Sequence, residues 1–220
     1  MISWEGMISR EEENLTRATI LERTLFSQES TIQKNEIELR SDFDGTMIEK
    51  ESIPLEVLAY FFWKPKNKFS FALEIIKEYE IYKKTGNIEK VYSLFRGCPV
   101  EILENITPKL YLNDRWIKLV ERLGLQEMAL VSRNIKSFIT KFVREQSLPV
   151  KIGSIIANSP EIENGVYTGR VIPRVSNANL ANLVKKGIYI CGEDEKRILE
   201  RAGLHPKKVK EKGLFIYEKR

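Results

Sequence analysis

Histidine and cysteine are scarce in this chain of 220 residues, which has one histidine, His205, and two cysteines, Cys98 and Cys191. A single histidine leaves almost no material for a serine–histidine–aspartate triad or for a metal site built from several histidines. The two cysteines stand far apart in the sequence, so they form no metal-binding pair. The low cysteine content favours a reducing compartment, and we expect the protein in the cytoplasm.

Long apolar runs and concentrated positive charge are also missing. The longest apolar run, residues 57–63, is too short to span a bilayer, and no basic segment followed by an apolar stretch marks a signal peptide. The formal net charge is +5, but the 36 lysines and arginines are spread along the chain. A nucleic-acid-binding or scaffold role is therefore the weaker alternative, and we expect neither nucleic acid nor membrane as a partner.

Predicted strands and helices alternate along the chain, which is typical of an α/β fold with a parallel sheet. Residues 1–35 are polar and precede this pattern as an N-terminal extension. The first predicted strand spans residues 37–41, and residues 50–108 have the pattern of several helices. Later strands are predicted at residues 127–132, 151–157, 188–191 and 214–217, with a hairpin turn at Asn164 and Gly165.

Two aspartates follow the first predicted strand, in the stretch Asp42-Phe43-Asp44-Gly45-Thr46. Their two-residue spacing points both carboxylates to the same side of an extended chain, and Gly45 lets the backbone turn away sharply. Paired carboxylates can bind a hard cation, or one can act as nucleophile and the other as general acid and base. The alternative is a plain turn, because Asp-Gly is a common turn dipeptide.

This stretch resembles motif one of the haloacid dehalogenase (HAD) superfamily, whose members are mostly Mg²⁺-dependent phosphatases. Ser132, at the end of the strand at residues 127–132, matches motif two, and the helices after motif one resemble the cap of the phosphoserine phosphatase-like subgroup. The resemblance implies a Rossmann-like core with a parallel sheet, formed by residues 36–49 and 109–220. It also implies that residues 50–108 form a helical cap inserted after the first strand.

The resemblance implies roles for the residues of these two motifs. Asp42 would attack phosphorus and form an aspartyl-phosphate, and Asp44 would protonate the leaving group and then activate water. Ser132 would hold the phosphoryl group through its hydroxyl, and Gly45 and Thr46 would belong to the substrate-binding turn. The alternative for Ser132 is a helix-capping serine at the end of a strand.

Motif four of the family normally reads Gly-Asp-x-x-x-Asp after a strand, and here residues 192–197 read Gly-Glu-Asp-Glu-Lys-Arg. Glu193 takes the place of the metal-binding aspartate, and Asp194 is adjacent. The resemblance therefore implies Mg²⁺ bound by Asp42, Asp44 and either Glu193 or Asp194. The alternative is a charged helix start, since acidic residues favour helix N-termini.

The lysine of motif three is missing, because the family register places Asn177 there. The next lysines, Lys185 and Lys186, come at the far end of the predicted helix. That lysine normally neutralises the attacking aspartate and the phosphoryl oxygens. Arg133, directly after Ser132, could bind phosphate oxygens in its stead, or could equally pair with a surface carboxylate.

Glu51 lies nine places after Asp42, the offset at which phosphoserine phosphatases have a glutamate that contacts the substrate amine. It is either a substrate-binding residue or a solvated acid at the start of a helix. We predict a Mg²⁺-dependent phosphomonoester hydrolase with a small phosphorylated substrate. The alternative is a catalytically impaired HAD-fold protein that binds a phosphorylated ligand, and no oligomeric state is predicted.

Overall fold

The computed structural model describes residues 39–50, 52, 54, 56, 59–60, 68–107, 110–185 and 187–219. The predicted N-terminal extension and Glu51 lie outside these residues. No helix among the described residues is long and apolar enough to cross a membrane. The described strands are β1 (Leu39–Ser41), β2 (Glu127–Ile135), β3 (Lys151–Glu163), β4 (Val166–Ile172), β5 (Gly187–Cys191), β6 (Lys207–Lys208) and β7 (Phe215–Lys219). The described helices are α1 (Lys68–Thr85), α2 (Glu89–Ser93), α3 (Val100–Glu104), α4 (Asp114–Leu123), α5 (Lys136–Glu145), α6 (Asn177–Leu183) and α7 (Glu193–Arg201).

The strands form one sheet in the order β4-β3-β2-β1-β5-β7-β6. β1 pairs in parallel with both β2 and β5, and β2 pairs in parallel with β3. Antiparallel strands complete the two edges, with β4 next to β3 on one side and β7 next to β5 on the other. The predicted α/β fold is confirmed, and the central position of β1 places the ends of β2 and β5 on either side of Asp42.

The residue between the two aspartates anchors the turn that follows β1. Phe43 is fully buried, and its ring packs edge-on against Phe142 and Phe138, with ring centroids 5.3 and 6.4 Å away. The carboxylates on either side of it, those of Asp42 and Asp44, instead accept hydrogen bonds from Thr46 and Ser52. The packing of Phe43 thus anchors the segment that carries both carboxylates.

Helices α1 to α3 follow this turn, in the region predicted to be a cap. Aromatic side chains of this region share a core, in which the Phe95 ring lies 5.2 Å from both Tyr92 and Tyr60. Tyr92 also contacts Tyr167 of β4, with ring centroids 5.9 Å apart, and the Gly97 N–H donates to the Tyr167 carbonyl at 2.7 Å. The helical segment thus packs on the β3–β4 hairpin, while its boundaries as a separate cap stay a prediction.

Local signals in the sequence predicted several element ends. The Asn113 side chain accepts a hydrogen bond from the Arg115 N–H at 3.0 Å, so it caps α4. Asn164 and Gly165 form the predicted turn between β3 and β4. Strand β3 continues to Glu163, beyond its predicted end, because its second half pairs with β4.

The end of α1 lies against the start of α6, where Gly86 and Asn177 meet. Gly86 has a left-handed φ of 71°, and a Cβ atom added to it would lie 2.7 Å from the Asn177 backbone nitrogen. Gly97 has a φ of 77° and nothing within 4 Å of such an atom. Gly86→Ala should therefore lower the free energy of unfolding by about 1–3 kcal/mol more than Gly97→Ala, because overpacking adds to the left-handed strain.

Urea unfolding followed by circular dichroism measures both glycine variants. Gly97→Ala is the matched control, since it introduces the same backbone strain without the contact. Equal losses of stability in the two variants would show that the close approach of Gly86 to Asn177 adds nothing to the loss of unfolding free energy.

Candidate active site

The predicted nucleophile, Asp42, follows the end of β1 and is 2% exposed. Its backbone N–H donates to the Ile190 carbonyl at 2.9 Å, and the Thr46 hydroxyl donates to its Oδ2 at 2.6 Å. Burial raises the pKa of Asp42 well above its usual range, the nearby Glu195 carboxylate adds to the rise, and the Thr46 hydrogen bond opposes it. Thr46, predicted to bind substrate, thus contacts the predicted nucleophile directly.

Asp44 lies on the same turn and is partly exposed. The backbone N–H of Ser52 donates to its Oδ1 at 2.8 Å, and the Asn134 side-chain amide donates to its Oδ2 at 3.1 Å. Desolvation raises the pKa of Asp44, while these two hydrogen bonds favour the anion and act to lower it. Each carboxylate oxygen of the predicted acid and base therefore has its own donor.

Ser132 and Gly45 complete the two motifs at this edge of the sheet. Ser132 is buried near the end of β2, and its hydroxyl oxygen accepts the Asn134 backbone N–H at 3.1 Å. A Cβ atom on Gly192 would lie 2.8 Å from the Gly45 carbonyl oxygen. The turn after β1 therefore approaches the end of β5 closely, and the phosphate contacts of Ser132 and Gly45 stay predictions.

Arg133 brings positive charge to this site. Its Nη1 donates to Asn177 Oδ1 at 3.0 Å, its Nη2 lies 2.5 Å from Glu195 Oε1, and its guanidinium stands 5.6 Å from the Tyr82 ring centre. Burial acts to lower the pKa of Arg133, but the Glu195 and Asp42 carboxylates raise it above its usual value. Arg133 thus pairs with a buried carboxylate beside Asp42, and not with one on the surface.

Glu195 is a site residue that the motif comparison missed. Glu193 and Asp194 have side chains that are each 53% exposed and pair with basic residues of α7 at 3.7 and 3.9 Å, whereas Glu195 is buried. Successive helical residues are about 100° apart around the axis, so only one of the three acids can face inward. The helical period in the sequence could have indicated that Glu195 faces inward, because Glu195 and the apolar Leu199 are four residues apart and therefore lie on one face of α7.

The predicted metal ligands do not come together in this arrangement. Among the described residues, no three histidine, cysteine, aspartate or glutamate side chains are grouped closely enough to hold a metal ion. The oxygens of Asp42 and Asp44 accept protein hydrogen bonds, and Glu195 is paired with Arg133. The carboxylates are the right type of ligand for Mg²⁺, but their spacing does not fit it, so we assign no chemical step to a metal.

A cavity of about 260 Å³ opens beside Asp44, between the end of α1 and helix α7. Arg133 and Asn177 form part of its wall. The acidic residues that line it are Asp44, Asp194 and Glu195. More basic side chains than acidic ones line the cavity, which favours an anionic ligand. The basic residues besides Arg133 are Lys83, Lys84, Arg197 and Arg201.

A group of buried polar residues behind Asp44 was also missed. Glu56 is fully buried and accepts hydrogen bonds from the Tyr92 hydroxyl and, at 3.3 Å, from the Ser52 hydroxyl. The Asn134 amide in turn donates to the Ser52 hydroxyl oxygen. Burial raises the pKa of Glu56 to about 7, and the Asp44 carboxylate adds to the rise. The sequence could have indicated that Glu56 is buried, because it is the single glutamate within the apolar stretch 53–63.

Solved structures of HAD hydrolases share this fold, although no model of a known protein family matches the chain. A HAD family hydrolase from Salmonella enterica serovar Typhi has a TM-score of 0.52 and 18% identity, over 76% of this chain and 60% of that one. A phosphoserine phosphatase solved as an analogue of its phospho-aspartyl intermediate has a TM-score of 0.50 and 18% identity, over 78% of this chain and 86% of that one. The chain therefore has the HAD fold.

A curated relative is similar to part of the sequence. It is a phosphoserine phosphatase from Archaeoglobus fulgidus, 32% identical over 132 residues, which cover 53% of this chain and 37% of that protein. The chain thus spans little more than a third of the length of this relative. The predicted resemblance to the HAD superfamily, and within it to the phosphoserine phosphatases, is confirmed.

Proposed function

We propose that this protein hydrolyses phosphomonoesters of small molecules through an aspartyl-phosphate on Asp42. The observation that supports this most is the position of Arg133, whose guanidinium bonds to Asn177 and lies beside the carboxylates of Glu195 and Asp42. The site keeps its pair of aspartates and has a cation next to the place where the motif-three lysine is missing. A guanidinium there can donate charge-assisted hydrogen bonds to phosphoryl oxygens.

The proposed reaction has two steps. An oxygen of the Asp42 carboxylate attacks phosphorus, the bond from phosphorus to the ester oxygen breaks, and Asp44 gives a proton to the departing oxygen. Asp44 then takes a proton from water, whose oxygen attacks the aspartyl-phosphate and releases inorganic phosphate from Asp42. The desolvation that raises the pKa of Asp44 suits its first role, and the donors Ser52 and Asn134 suit the anion needed for its second.

The cavity supports a small phosphorylated substrate. Lys84, Arg197 and Arg201 are exposed at its wall and provide positive charge beyond the pair formed by Arg133 and Glu195. Positive charge concentrated in a cleft raises the local concentration of anionic ligands. We infer that the substrate carries negative charge and is small enough for a cavity of about 260 Å³.

Binding of a phosphorylated ligand without turnover is a second candidate function. The ion pair between Arg133 and Glu195 favours it, because a guanidinium already neutralised by a carboxylate at 2.5 Å stabilises a phosphoryl group less. Asn177 adds no charge to replace the lysine of motif three. Variants at Asp42, Arg133 and Asn177 separate turnover from binding.

Asp42→Asn should abolish phosphatase activity, because an amide cannot attack phosphorus as a carboxylate does. The fold should survive, since the amide has nearly the same shape and Asp42 is buried with a raised pKa. Phosphate release from a panel of phosphoesters measures the activity, and the exposed Asp114→Asn is the matched control. A rate within a few-fold of the parent rate would contradict the assignment of Asp42 as nucleophile.

Arg133→Ala should lower turnover by roughly a hundredfold or more, if Arg133 provides the positive charge that Asn177 lacks. Asn177→Lys should then restore part of the loss in the double variant. The change leaves the buried Glu195 unpaired, so rates are compared at a temperature at which circular dichroism shows every variant folded.

The matched control for this series is Arg122→Ala, which removes an arginine that pairs with Glu211 on the surface. An unchanged rate in Arg133→Ala would rule out its proposed role. A parent that is inactive on every phosphoester, with Asn177→Lys switching activity on, would favour the ligand-binding function.

Mg²⁺ is the cofactor that the resemblance implies, with Glu193 and Asp194 as alternative ligands. If the two acids replace each other, Glu193→Ala alone should reduce the Mg²⁺-induced rise in melting temperature less than the double change with Asp194→Ala. Glu200→Ala, also on α7, is the control, because it removes a similar surface ion pair. No response of the parent protein to Mg²⁺ would agree with the spacing of these carboxylates, which does not fit the ion.

A further inference from the structure

Both donors to the Asp44 carboxylate are linked to one buried residue, Glu56. Ser52 donates to Asp44 through its backbone N–H at 2.8 Å and to Glu56 through its hydroxyl at 3.3 Å. Asn134 donates to Asp44 at 3.1 Å and also to the Ser52 hydroxyl oxygen. Ser52, Glu56 and Asn134 are fully buried, so the hydrogen bonds among these three residues do not compete with water.

The direction of each hydrogen bond follows from the chemistry of Glu56. In its ionised form the Glu56 carboxylate can only accept, so the Ser52 hydroxyl then points its hydrogen at Glu56 and turns its oxygen towards Asn134. That oxygen receives one amide hydrogen of Asn134, which leaves the other for Asp44. The Asn134 carbonyl oxygen is fixed as well, because it accepts the Ile135 N–H at 2.7 Å.

The same carboxylate ties this group of residues to the helical segment. The hydroxyl of Tyr92, on α2, donates to Glu56 Oε2. Tyr92 is held in turn by its ring contacts with Phe95 at 5.2 Å and with Tyr167 at 5.9 Å. The orientation of the Asp44 carboxylate is therefore connected to the packing of α2 through Glu56.

A purely structural role explains Glu56 poorly. An ionisable group in a fully buried position carries a desolvation cost that an apolar side chain of similar size does not. The neighbouring Asp44 carboxylate adds charge repulsion to this cost and raises the pKa of Glu56 further. Retaining a carboxylate there is reasonable if its ability to accept hydrogen bonds is what the site requires.

We propose that Glu56 is a positioning residue for Asp44, because it directs the Ser52 hydroxyl and thereby holds the Asn134 amide with one N–H towards the Asp44 carboxylate. This inference rests on the proposed function, in which Asp44 is the general acid and base. Glu56 itself touches neither substrate nor the reacting atoms.

Two substitutions at Glu56 separate hydrogen bonding from volume. Glu56→Leu fills the space without an acceptor, so kcat should fall by about tenfold or more while KM changes by less than about threefold. Glu56→Gln keeps an acceptor oxygen and should stay within about threefold of the parent kcat. A kcat for Glu56→Leu within about twofold of the parent would overturn the proposal.

A readout independent of activity follows the Asn134 side-chain amide by nuclear magnetic resonance, with its signals assigned from Asn134→Ala. In Glu56→Leu these signals should shift and exchange faster with water, while Glu56→Gln should resemble the parent. Val184→Ala, in the other hydrophobic core cluster, controls for a loss of stability and should leave kcat and the Asn134 signals unchanged.

The two measurements test different claims. A parent protein that is inactive on every phosphoester would contradict the proposed function. The amide signals would still show whether Glu56 holds the Asn134 side chain in place. Unchanged Asn134 signals in Glu56→Leu would overturn the positioning role, even in a protein that is an active phosphatase.

Discussion

Negative charge withdrawn from water at one edge of the sheet is the constraint on which this site depends. Asp42, Glu56 and Glu195 are buried there, and Asp44 is partly exposed beside them. Carboxylates so close together repel one another, and each needs donors or a cation to remain in a packed interior. The surrounding hydroxyls, the Asn134 amide and the Arg133 guanidinium meet that need.

Arg133 and Asn177 depend on each other. Asn177 accepts a hydrogen bond from the guanidinium and donates, at 3.1 Å, to the Lys84 carbonyl at the end of α1. A lysine at position 177 could donate but could not accept, so it would leave the guanidinium without this partner. The long side chain of Arg133, reaching from β2, therefore supplies charge while Asn177 joins α1 to α6. This pairing explains how the site can contain a cation although the residue at the motif-three position is neutral.

The helical segment after β1 takes part in the site at two separate points. The end of α1 meets Asn177, and Tyr92 of α2 meets Glu56 behind Asp44. Both contacts join residues that are distant in sequence, and they reach residues close to Asp42 and Asp44. Rearrangement of this segment would therefore alter the support of Asp44 as well as the wall of the cavity.

The amino-acid sequence by itself determined the alternation of strands and helices, the hairpin turn and the strand ends that carry Asp42, Asp44 and Ser132. These features depend on local periodicity and on turn chemistry, which a single chain displays directly. Only the tertiary structure decided that Glu195, and not Glu193, faces Asp42, and that Glu56 supports Asp44. The physical reason is that the packing of α7 selects the inward face of that helix, and the hydrogen bonds of Glu56 join three segments that only folding brings together.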